Sequence, residues 1–167
     1  LALLKIVAVE TEEEGVPRFE SVELWEGEMR YKVPVICIGQ PGRDDLESKD
    51  RRSTTYNLVE ISEGCFRGMV KGRDAQDNED IGTLMHDAWT YWGHSGAPLL
   101  READGKLVGL HSSWDDRTAM RHGVPGVAIR EFLKIHLPEA LGNAGESSST
   151  TSELKKVPSG VEVIDLT

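Results

Sequence analysis

The chain has 167 residues, 38% hydrophobic and 29% charged, enough for one domain with a real core. Its net charge of −10 argues against nucleic acid as a partner, and no apolar run approaches the length of a membrane span. Two cysteines, Cys37 and Cys65, are too few for a disulfide-stapled secreted domain. Both lie in apolar, strand-like runs, which favours buried free thiols over a bridge. The expected setting is intracellular, cytoplasmic or nuclear.

Taken in order, Leu1-Ala-Leu-Leu-Lys-Ile-Val-Ala-Val9 is an apolar run of strand length. Residues 10–30 read as a connector: an acidic stretch ends in Val16-Pro17, and Val22, Leu24 and Trp25 follow among glutamates. Val33 to Ile38 reads as a strand ending in the turn Gly39-Gln-Pro-Gly42. Arg43 to Arg52 is charged and turn-rich, a surface loop. Thr54 to Ser62 reads as a strand with Tyr56, Leu58 and Glu60 on one face, and Gly64 to Val70 continues a hairpin. Arg73 to Asp80 is polar but lacks the spacing of a calcium loop, so no metal site is expected. Asp104-Gly105 is a hairpin turn signal. Arg130 to Leu141 reads as a helix, because Ile129, Phe132, Leu133 and Leu137 recur at helical spacing, with Pro138 late and Gly142 as a stop. Residues 142–160 are Gly-, Ser- and Thr-rich, a flexible linker. The tail, residues 161–167, alternates apolar and acidic residues, which suits either folding back on the domain or adding a strand to a partner's sheet edge.

The stretch that carries chemistry is Gly93-His94-Ser95-Gly96-Ala97-Pro98-Leu99-Leu100. Gly93 has no Cβ, so the backbone can fold tightly just before Ser95 and aim the N–H groups of Gly93 and Ser95 at one point. Two convergent donors beside a nucleophile make an oxyanion hole. Gly96 and Ala97 leave the approach bare. Trp89, Tyr91 and Trp92 precede the motif as core packing or as platforms for a bound peptide.

This motif resembles the Ser motif of trypsin-like (chymotrypsin-fold) serine proteases, G-x-S-G-x-P-L. Asp87-Ala88 stands before it at the interval seen in HtrA-like members. Lys106 to Ser113 looks like the family's next strand, one wall of the substrate cleft, and Gly123 to Ile129 like its last strand. The resemblance implies an all-β fold: a chymotrypsin-like antiparallel barrel over residues 31–141, the second of two, with a closing C-terminal helix and a flexible tail. Residues 1–9 look like the final strand of the first barrel, in which case the catalytic Asp would stand directly before Leu1. The chain then reads as the C-terminal half of a serine endopeptidase, inactive alone, whose partner is the missing N-terminal barrel.

The resemblance makes Ser95 the nucleophile, with the backbone N–H groups of Gly93 and Ser95 as oxyanion donors. Ser112 matches the family position that contacts the catalytic Asp, and Ser113 lies beside it on the cleft strand. Thr90 and His111 occupy specificity-pocket positions and are similar there to glutamyl endopeptidases, which implies cleavage of a protein or peptide after Glu, with Gln or Asp as weaker options. Among five histidines, only His86 and His94 precede Ser95, and neither matches the family position of the base. No cofactor is implied. Val161, Val163, Ile164 and Leu166 look like the apolar positions of a SUMO-interacting motif, flanked by Glu162 and Asp165. A SUMO-binding adaptor on a non-catalytic protease fold is the competing expectation.

Overall fold

The computed structural model describes Leu1, residues 21–50 and residues 52–137. Residues 2–9 of the expected first strand, the linker at 142–160 and the tail at 161–167 lie outside the described residues. Six strands and one helix follow in order: β1 Pro34–Gly39, β2 Glu60–Met69, β3 Leu84–His86, β4 Pro98–Arg101, β5 Leu107–Asp115, β6 Met120–Pro125 and α1 Gly126–His136. The strands close into an antiparallel barrel in the order β1-β2-β3-β6-β5-β4, with β4 pairing back onto β1. Closure leaves no unpaired sheet edge among them.

Period-two patterning drives the interior. In β1, Val35 and Cys37 point inward and are buried, while Ile36 between them is not. Leu99 of β4 is fully buried and packs in one cluster with Val35, Phe66, Leu84 and Val108. The crossing segment docks on this barrel: Trp25 N–H donates to Leu107 O and Leu107 N–H to Glu23 O, both at 2.8 Å. The Arg101 guanidinium covers the Trp25 ring at 3.6 Å. Cys37 sits opposite Ser62 rather than Cys65, and both thiols are free. Burial pushes the Cys37 thiol up to about 11.

Three boundaries differ from the expectation. The strand placed at Thr54 to Ser62 begins only at Glu60 and runs unbroken through Met69, so the expected hairpin at Gly64 is one strand. Gly64 is where β2 meets the Ala88 backbone so closely that a Cβ would overlap it. Residues 54–59 form a loop instead, with Leu58 70% exposed. The last strand ends at Pro125, and the helix begins at Gly126, four residues before the expected Arg130. Pro125 sits at φ −72° in extended backbone and enters the helix directly. The helix stops at His136 because Leu137 precedes Pro138 and is held out of the helical region. The Asp104-Gly105 turn does join β4 to β5, with Gly105 at φ +69°.

Leu99 has no exposed surface, so Leu99→Ala should cost about 2–5 kcal/mol. Urea denaturation checks this; a loss under about 1 kcal/mol would mean that the site collapses around the shorter side chain.

Candidate active site

The turn before β4 carries Ser95 and is built on two glycines. Gly93 lies at φ +100° and Gly96 at φ +85°, where a side chain would strain the backbone. A Cβ on Gly93 would also collide with the Gln40 carbonyl and come within 2.8 Å of Gly42 N. The Gly39-Gln-Pro-Gly42 turn after β1 therefore forms the floor under Gly93. It is tied there by Gly42 N–H, which donates to Trp92 O at 2.6 Å.

His94 fixes the turn from inside. Its ring is fully buried, and a Cβ on Gly39 would fall within it. Nδ1 lies 3.1 Å from Tyr91 O, and the ring meets Trp89 edge-on at 5.4 Å between centroids. Burial lowers its pKa, partly offset by the Tyr91 carbonyl, so the ring is held neutral. His94 is thus a packing residue that aims Ser95 outward. Trp89 stacks parallel to Tyr91 at 6.2 Å, with Tyr56 tilted against both, while Trp92 is exposed beside the turn.

Around Ser95 the backbone is partitioned. His94 N–H donates to Tyr91 O at 3.1 Å, Gly96 N–H to His111 O at 2.8 Å and Ala97 N–H to His94 O at 2.8 Å. Among the described residues, no acceptor meets the N–H groups of Gly93 and Ser95. Both residues are exposed. The turn thus leaves free the two donors that an oxyanion needs and engages the others. The Ser95 hydroxyl is exposed and donates to Ser112 O at 3.2 Å. Once a base takes its proton, an exposed hydroxyl can attack a carbonyl, and unengaged N–H donors in the same turn are the groups that can hold the resulting oxyanion.

Among the described residues, no imidazole meets Ser95. His86 of β3 and His111 of β5 are buried and meet each other, Nε2 to Nδ1, at 3.1 Å. Burial, with the neighbouring cations and imidazoles, pushes His86 down to about 3 and His111 to about 4. His122 is buried with Nδ1 at 3.0 Å from Gly82 O. His136 packs on Phe132 of its own helix. The expected specificity residues lie on β5 and, for Thr90, in the segment before the Ser95 turn. Thr90 Oγ1 accepts from Arg121 Nε at 3.1 Å. Ser112 Oγ donates to Ile81 O at 2.7 Å, and Ser113 Oγ is buried without a partner among the described residues. Asp87 clamps β3 to β2: its carboxylate accepts from Cys65 N–H at 2.5 Å and from Arg67 Nε at 2.6 Å.

The His86–His111 pair and Arg121 escape a reading of the sequence. Each lies on a different strand, and only the register brings them together. Residues 1–110 match the family model described as a trypsin-like peptidase domain. The match takes in the whole Ser95 turn. No curated protein matches the chain.

The two buried histidines set a pH dependence. Their ordinary value is 6.5, and folding lowers it, so the unfolded chain takes up protons first. Stability is full above about pH 6.5 and falls as the pH drops towards about 4 for His111 and about 3 for His86. His86→Gln should flatten this slope in thermal melts between those limits. An unchanged slope would show that His86 binds its proton alike in the folded and unfolded chain.

Proposed function

The chain belongs to the trypsin-like peptidase domain family, and on that basis we propose that it is the nucleophile-bearing part of a serine endopeptidase that cleaves after Glu, and less well after Gln or Asp. The observation that carries the reading is the Ser95 turn, with its exposed hydroxyl and two unengaged N–H donors. Ser95 attacks the scissile carbonyl, and Gly93 and Ser95 N–H stabilise the oxyanion. None of the five imidazoles meets Ser95, so the base and its orienting carboxylate come from a first barrel. HtrA-like and glutamyl endopeptidase members of the family share part of this pattern, through Asp87-Ala88 and through Thr90 with His111. An intracellular, reducing setting suits the two free thiols.

The pocket reading rests on donors. A buried carboxylate or amide needs hydrogen-bond partners, and removing one leaves a costly unpaired group. Thr90 and His111 offer a hydroxyl and an imidazole, and Trp89 to Gly93 offers no acid to receive Lys or Arg. Profiling the full-length protein on a peptide library should give cleavage after Glu. His111→Ala should lower it by about 10- to 100-fold in kcat/KM. Cleavage mainly after Lys, Arg or large apolar residues, or an unaffected His111→Ala variant, would reject the pocket.

The tail at 161–167 supports a second proposal, SUMO binding as an added strand through Val161, Val163, Ile164 and Leu166. This holds whether or not the protein is catalytic, and a non-catalytic adaptor is the alternative it leaves. Titrating labelled SUMO with the chain should shift resonances along one edge strand and its adjoining helix. Silence at high concentration, or binding unchanged after Val163, Ile164 and Leu166 are replaced by Ala, would end it.

A further inference from the structure

Arg121 of β6 stands beside the buried histidines, and nothing in the sequence singles it out. It lies on β6 directly opposite His86 of β3 and Trp114 of β5. Paired residues project from the same face of a sheet. His86 is fully buried and reaches His111, whereas Trp114 is 45% exposed, so Arg121 leaves the sheet on the side of His86 at a rim between the interior and solvent. Its guanidinium lies over the Trp114 ring at 4.7 Å, and its Nε donates to Thr90 Oγ1 at 3.1 Å. Thr90 stands five residues before Ser95, on the wall that leads into the nucleophile turn.

The rest of the guanidinium has no partner among the described residues. None of their ion pairs includes Arg121. The nearest carboxylate that influences it, Asp87, is already engaged by Arg67 and the Cys65 N–H. The other ionisable groups of this cluster are the imidazoles, the Cys37 thiol and Glu60, which acts on His94. Burial lowers the pKa of His86, His94 and His111 and raises that of Cys37, so all four are uncharged at neutral pH. Among the described residues the half-buried guanidinium is therefore bonded only to Thr90 and stacked on Trp114, with Asp87 already engaged, which leaves its fork open to a further anion. Arginine stays charged there, and its planar fork suits a carboxylate.

We propose that Arg121, held by Thr90 and Trp114, is the residue that binds the carboxylate of the substrate side chain preceding the scissile bond. This rests on the reading of an acidic-residue endopeptidase and divides its labour. Thr90 orients the guanidinium instead of binding substrate alone. Neutral His111 supplies a hydrogen bond that an amide could also use. Arg121 makes the site prefer Glu over Gln, which differ in charge and hardly in shape.

The test is binding of two peptides that differ only in a C-terminal Glu or Gln, measured by calorimetry on the full-length protein carrying Ser95→Ala. No catalysis is needed. Wild-type pocket residues should favour the Glu peptide by about 10- to 100-fold. Arg121→Gln should bring that ratio near one while leaving the Gln peptide's affinity in place, and Arg121→Lys should keep part of it. The unsubstituted pocket gives a second readout that survives any folding defect in the variants. The ratio should stay flat from about pH 6.5 to about pH 9, across which an arginine keeps its charge, whereas an imidazole that took up a proton to bind the carboxylate would lose it. A ratio that collapses as the pH rises would assign the carboxylate to a histidine and overturn the role of Arg121. An undiminished ratio in Arg121→Gln would overturn it equally; in both cases the acidic preference itself stands. Tighter binding of a peptide ending in Lys or Leu would instead reject the acidic pocket, and Arg121 with it.

Discussion

The His94 imidazole lies wholly buried between Gly39, Trp89 and the Tyr91 backbone, and the turn bearing Ser95 cannot shift without displacing it. Everything about the site follows from that anchorage. Gly39 must be Gly to admit the ring, and Gly93 must be Gly to fold over the Gln40 carbonyl at φ +100°. With the ring seated, His94 N–H turns back to Tyr91, while its two neighbours in the turn keep free N–H groups. A donor pair fixed in this way before substrate arrives costs no reorganisation when charge develops on the carbonyl oxygen.

The electrostatics of the barrel end are arranged on the same principle. Buried imidazoles at His86, His94 and His111 are kept neutral by loss of solvent. A neutral imidazole can pack and hydrogen-bond without the cost of burying charge. In the proposed pocket, Arg121 is the charge that a bound side chain would meet. The closed barrel makes this possible, because β6 lies between β3 and β5 and so sets Arg121 beside both His86 and Trp114.

Much of this was legible in the sequence where the signal is local. Gly93 and Gly96 announce a turn, and Asp104-Gly105 a hairpin; the three glycines all take backbone conformations few other residues adopt. Boundaries were legible only in part. Gly64 reads as a break, yet it is a close approach between β2 and the Ala88 backbone. The run from Gly123 to Ile129 is apolar enough for a strand, but Pro125 hands the chain to a helix midway. The His86–His111 contact and the setting of Arg121 were not legible at all. They depend on barrel register, which joins residues 25 and 31 positions apart. A charged residue on an apparently ordinary strand gives no local sign that it faces inward.

The most direct measurement is a crystal structure of the full-length protein with Ser95→Ala and a peptide spanning the cleavage site. A preformed oxyanion site predicts the carbonyl oxygen of the residue before the scissile bond within about 3 Å of both Gly93 N and Ser95 N, with the His94 ring unmoved. A peptide bound elsewhere, or a turn that must flip the Gly93 peptide to receive it, would contradict the anchorage on which the whole site depends.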